Sequence, residues 1–205
     1  KKEDMLANLA KTNTVPSNCG FSLNLPLTSS DEKPPRFWMY EERQLSADSF
    51  RGLAPAAQLK GGVLGAIVSF KGNEDRLGNE ATFNLGHTGY NIFCIDNPKK
   101  LDLAGFIQQA KSASKKTVTL NGETQMWGEL EVQPAYVEGL SKGDYYKEPI
   151  YMAVTPAMPS KLLIIIPWGI DSDDAMADQV NEDMALISHS IKFSSDTAPL
   201  PEAGM

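Results

Sequence analysis

The chain has 205 residues, 41% of them hydrophobic, and carries 19 Lys and Arg against 26 Asp and Glu, a net charge of −7. That length accommodates one domain with a substantial core. The acidic balance excludes the clustered basic surface that displaces counterions from nucleic acid, and it opposes binding to anionic lipid.

The longest apolar run, Leu162 to Ile166, has strand length and falls far short of the ~18 residues that span a bilayer. The sequence opens on Lys1 and not on Met, from which we expect a removed targeting segment or a preceding portion. Residues 1–18 are polar and charged and are expected to form an arm outside the core.

Phe21 to Leu25 alternates apolar and polar residues, the period of a half-buried strand, and Pro26 limits it. Thr28 to Pro35 has loop chemistry, and the aromatic run Phe37 to Tyr40 reads as a strand. Gly61-Gly62 precedes a strand over Val63 to Phe70, and further strands are expected at Ala81 to Leu85 and Tyr90 to Ile95. Asp96-Asn97-Pro98 ends the last of these.

A helix is expected from Leu103 to Lys115, because Leu103, Phe106, Ile107 and Ala110 form one apolar stripe. Asp102 suits its N-cap, and Lys111, Lys115 and Lys116 suit the negative end of its dipole. Asn121-Gly122 between β-rich runs predicts a two-residue hairpin, since a type I′ turn needs positive φ at both central residues. Ile150 to Val154 and Lys161 to Ile166 form a second hairpin across Pro156 and Pro159. The unbroken apolar run 162–166 belongs in a central strand covered on both faces. A second helix spans about Asp173 to Ile191, with Met176, Val180, Met184, Ile187 and Ile191 on one face. The tail 194–205 is expected to be flexible.

These elements give an α+β fold: an antiparallel sheet flanked by two main helices, an α/β/α sandwich over residues 19–193.

Candidate reactive groups are sparse. Gly139-Leu140-Ser141-Lys142-Gly143 matches the hydrolase pattern G-x-S-x-G, but Pro149 comes too soon for the helix that must follow the serine, so a flexible loop is expected. His87, in the Gly86-His87-Thr88-Gly89 turn, and His189, off the apolar stripe, have no spacing that builds a triad with Cys94 or Ser141. Asp171, Asp173 and Asp174 are candidate ligands for a divalent cation. Ala175 and Met176 occupy the fifth and sixth positions, where a calcium loop needs an oxygen ligand and glycine, and acids at a helix start complement its dipole. Cys19 and Cys94 allow one disulfide, or two buried thiols that act as small hydrophobes.

Gly20-Phe21-Ser22-Leu23-Asn24-Leu25-Pro26 and the closing segment, Lys161 to Trp168 followed by an acid-capped helix ending Ile187-Ser188-His189-Ser190-Ile191-Lys192-Phe193, resemble PsbP-like domains. The resemblance implies an α/β/α sandwich and an exported, non-catalytic protein that docks on a larger assembly. The expected function is therefore a non-enzymatic, extracytoplasmic accessory protein with a protein partner and no cofactor. The alternatives are a hydrolase with a dispersed site, or a small-ligand binder using Trp38, Trp127 and Trp168.

Overall fold

A computed structural model describes residues 12–26, 36–44, 62–71, 86–113, 117–168 and 177–193. In chain order their elements are β1 (Thr12–Pro16), β2 (Phe21–Pro26), β3 (Arg36–Gln44), β4 (Gly62–Lys71), β5 (Gly86–Asp96) and α1 (Leu103–Ala113). There follow β6 (Thr117–Leu120), β7 (Gln125–Trp127), β8 (Leu130–Ser141), β9 (Asp144–Val154), β10 (Lys161–Trp168), α2 (Ala177–His189) and β11 (Lys192–Phe193). One sheet has eight strands, ordered β3-β4-β5-β10-β9-β8-β6 with β7 also on β8, and a second has three, ordered β1-β2-β11. The pairings are antiparallel throughout. The chain is thus α+β, dominated by antiparallel sheet.

The apolar run 162–166 lies in β10, between β5 and β9. Because strand side chains alternate faces, it feeds two cores. Leu163 and Ile165 join Ile92, Cys94, Val132 and Ala153, while Leu162 and Ile164 join Phe93, Ile95, Ala135, Val137 and Met152. The first core is closed by Phe21, Leu23 and Leu25 of β2 together with Met184 and Ile187 of α2. The second is closed by Leu103, Phe106 and Ala110 of α1. A small sheet therefore shares one face with α2, which the helix patterning by itself did not anticipate.

Local signals explain several boundaries. The Gly105 N–H donates to Asp102 Oδ1 at 2.8 Å, so Asp102 caps α1 as its sequence position predicts. Buried Asn97 ties the turn after β5 to the β9–β10 turn: its side-chain N–H groups donate to the Leu101 and Pro159 carbonyls, each at 3.0 Å. Its Oδ1 accepts the Leu101 N–H at 3.0 Å.

Four expectations are corrected by the structure. Thr12–Pro16, within the stretch read as an arm, pairs with β2 as β1, and Val15 packs against the first core. Residues 86–89, read as a turn, begin β5. Asn121-Gly122 does not make a hairpin, for β6 and β7 both pair with β8 on the same side, and residues 121–124 bulge between them. Opposite the bulge stands Pro134, which lacks an N–H, so the ladder cannot continue evenly. The Asn121 N–H donates to the Pro134 carbonyl at 2.9 Å, and buried Gln133 fills the gap by donating to the Gly122 and Pro134 carbonyls at 3.0 and 2.9 Å. Finally, 139–143 is no loose loop, because β8 runs through Ser141 and turns at Lys142-Gly143 into β9.

Tight turns fall where sequence signals were faint. Lys142 and Gly143 have φ of 53° and 89°, the paired positive values of a type I′ turn. Gly128, φ 59°, turns β7 into β8, and a Cβ there would stand 2.6 Å from the His189 carbonyl oxygen, so glycine lets this turn pack on the end of α2.

Candidate functional site

The β8–β9 hairpin leaves the sheet, and two prolines explain where. β9 and β10 pair only at Ala153–Leu163, Met152–Ile164 and Tyr151–Ile165. Continuing that register would set Pro149 against Pro167, and neither can donate to a ladder. From that fork β10 stays with β5 to the Trp168–Gly89 pair, whereas β9 stays with β8 to the Asp144–Ser141 pair. On its other side β8 is flanked by β6 only as far as Glu138.

The hairpin carries an ordered outer face. Register places Leu140 opposite Tyr145, Glu138 opposite Lys147 and Tyr136 opposite Pro149, all with the parity of Val132 and Ala153 in the first core. Leu140 is 75% exposed and Tyr145 63%, high values for large apolar side chains. Lys147 Nζ lies 3.4 Å from Glu138 Oε1 and 4.4 Å above the centre of the Tyr136 ring. The Tyr145 hydroxyl donates to Glu138 Oε2 at 2.9 Å, and that bond holds its pKa above the ordinary tyrosine value, because ionisation would break it. Four side chains are thereby fixed in one arrangement on the exposed side of the arm.

Two further polar clusters are structural clasps. Glu42 accepts hydrogen bonds from the Tyr40 and Ser17 hydroxyls and, at 2.9 Å, from the Asn18 N–H. It thus binds the β1–β2 turn to β3. Burial, reinforced by the bond to Glu42, pushes the Tyr40 pKa far above the ordinary range. The second clasp pairs Lys161, 3% exposed, with Asp96 at 2.5 Å across β10 and β5. A buried ion pair stabilises less by its attraction than it costs when one partner is removed.

The residues named from sequence do not converge. Cys19 and Cys94 are bonded to each other, their Cα atoms 6.4 Å apart, so the β1–β2 turn is tied to β5 and Cys94 is not a free nucleophile. Ser141 ends β8 opposite Asp144, in a strand–turn–strand setting and not on a strand-to-helix elbow. His87 falls in β5. His189 is exposed at the end of α2, with Nδ1 2.7 Å from the Ala185 carbonyl oxygen and its ring 6.2 Å from that of Trp127. Trp38 and Trp127 are buried and donate to Asp183 and Gln125, at 3.0 and 3.1 Å, which assigns both to packing. Asp171, Asp173 and Asp174 lie outside the described residues. Among the described residues no three His, Cys, Asp or Glu side chains group as metal ligands, and no helix is long and apolar enough to cross a membrane.

Sequence reading missed Tyr136, Glu138, Leu140, Tyr145 and Lys147. Their signal in the sequence is a weak period-two pattern around Lys142-Gly143, overlaid by the G-x-S-x-G match of the same stretch. No family model matches the chain, and no curated protein matches it either.

Proposed function

We propose that this chain is a non-enzymatic interaction protein that works outside the cytoplasm and docks on a larger assembly through its β8–β9 hairpin. The observation that carries this reading is the exposure of Leu140 and Tyr145 on an arm whose neighbouring side chains are already ordered. Fixing side chains before contact lowers the entropy cost of association, and tyrosine is a favoured anchor. The Cys19–Cys94 bond supports an oxidising compartment, since disulfides persist there and are rare in the cytosol. The likeness of the closing hairpin and helix to PsbP-like domains points the same way. For the finer architecture we read an α/β/α sandwich, supported by α1 and α2 packing on the alternate-face residues of β10, with the small sheet as a further part of the α2 layer.

The test compares wild type with Leu140→Ser/Tyr145→Ser, whose altered side chains face outward and leave both cores intact. In extracts of the native source, wild type should elute above its own mass together with a different protein. The double variant should elute alone, with an unchanged melting temperature. Wild type eluting without a second protein would overturn the proposal.

A further inference from the structure

An asparagine side-chain amide is an electrophile within reach of the next residue's backbone nitrogen, and attack closes a small ring. A side chain on that next residue crowds the approach, and glycine has none. Of the chain's asparagines only Asn121 precedes glycine. The fold keeps this pair in the open. Residues 121–126 are exposed, Gly122 has φ of 83°, and nothing stands within 4 Å of where a Gly122 Cβ would be. Among the described residues no hydrogen-bond partner meets the Asn121 side-chain amide or the Gly122 N–H.

The main chain around the pair is anchored on both sides. The Asn121 N–H donates to the Pro134 carbonyl at 2.9 Å, and Gln133 Nε2 donates to the Gly122 carbonyl at 3.0 Å. Gln133 is itself fixed: it is buried, its Nε2 also donates to the Pro134 carbonyl at 2.9 Å, and its Oε1 accepts from the Thr124 hydroxyl at 3.1 Å. It cannot follow the bulge if the chain there changes length. Both anchors act on main-chain atoms, so the exposed Asn121 side chain turns without breaking either.

We propose that Asn121-Gly122 is a self-modifying site whose conversion loosens β6 as the protein ages. The Gly122 nitrogen attacks Asn121 Cγ. The new N–Cγ bond forms as the bond from Cγ to its amide nitrogen breaks, and the Gly122 proton leaves with that nitrogen as ammonia. Water then opens the cyclic imide, its hydroxyl going to one carbonyl carbon and its proton to the ring nitrogen. Aspartate or isoaspartate is left at position 121. The isoaspartyl product puts one extra main-chain atom between the Asn121 N–H and the Gly122 carbonyl. Anchors set for the shorter path cannot both be kept, and either product adds a carboxylate beside Glu123. β6 ends at Leu120 and pairs only with β8, so it is the element released. The inference is independent of the hairpin and its partner.

Peptide mass mapping of the folded full chain, aged at mildly alkaline pH, reads the conversion as exchange of an amide nitrogen for oxygen. Fragmentation across the 121–122 bond separates aspartate from isoaspartate. Position 121 should convert at least about tenfold faster than any other asparagine of the chain, since glycine alone leaves the nitrogen unshielded. Asn121→Gln, which would have to close a larger ring, should stay unconverted there. Hydrogen exchange should be faster over residues 117–121 in aged than in fresh wild type, with β10 unchanged, and Asn121→Gln aged alongside should keep its protection. An Asn121 that outlasts the other asparagines would overturn the site. Conversion without faster exchange in β6, or equal loss of protection in aged Asn121→Gln, would overturn the release.

Discussion

Tyr40 is the residue where local chemistry most visibly governs stability. Its side chain is half-buried and its hydroxyl donates to Glu42, so the folded state holds the proton far more tightly than the unfolded chain does. Below the unfolded value of ~10 both states are protonated and the bond is fully present. Above it the unfolded state releases a proton that the native state keeps, so stability falls as pH rises. Tyr90 and Tyr151 are raised in the same direction, chiefly by burial. Tyr40→Phe is therefore expected to be less stable than wild type near neutral pH, by ~1 kcal/mol for the lost bond. It should also lose stability less steeply between pH ~9 and ~11, where the unfolded-state tyrosines titrate. Urea unfolding at a series of pH values checks both. Equal alkaline slopes would refute the assignment.

At the scale of elements, the chain places its best hairpin dipeptide where no hairpin forms. Asn121-Gly122 sits in the bulge opposite Pro134, while the type I′ turn falls on Lys142-Gly143. A non-glycine side chain at positive φ costs energy that asparagine, with its short polar side chain, largely escapes. Lys142→Asn should accordingly raise stability by ~0.5–1 kcal/mol without moving the register, measurable as a higher urea midpoint at constant slope. The contrast shows what was legible in the sequence. The α1 cap at Asp102, the alternation of Phe21 to Leu25 and the central position of 162–166 all rest on contacts within a few residues or on strand period, and the structure contains them. The bulge depends on a proline in the facing strand, and the projecting arm on two prolines that meet only through tertiary register. Neighbour-by-neighbour patterns carry neither.

For the whole molecule, the disulfide is the longest-range covalent constraint, closing a separation of 75 residues between the small sheet and the centre of the large one. In the chain-entropy account a loop of that length stabilises by roughly 4 kcal/mol. Cys19→Ala/Cys94→Ala should lose about that much in denaturant unfolding, while strand content by circular dichroism is retained at low temperature. A loss below ~1 kcal/mol would show that the unfolded chain is little constrained by the bond. Of the candidate site the sequence named no residue for that role, and the two cysteines it did name lie apart from it, in the β1–β2 turn and in β5. The exposed ladder on the hairpin emerged only once register placed Leu140 beside Tyr145 and Glu138 beside Lys147.

The small sheet is assembled from distant parts of the chain. β2 lies between its neighbour β1 and β11, and the Asn24 N–H donates at 2.8 Å to Ser190 Oγ, 166 positions later. As the polypeptide leaves a ribosome N-terminus first, this layer stays one strand short until residue 193 is free. Phe21, whose ring waits for Phe193 at a centroid distance of 5.6 Å, is among the earliest core residues synthesised and among the last to be covered.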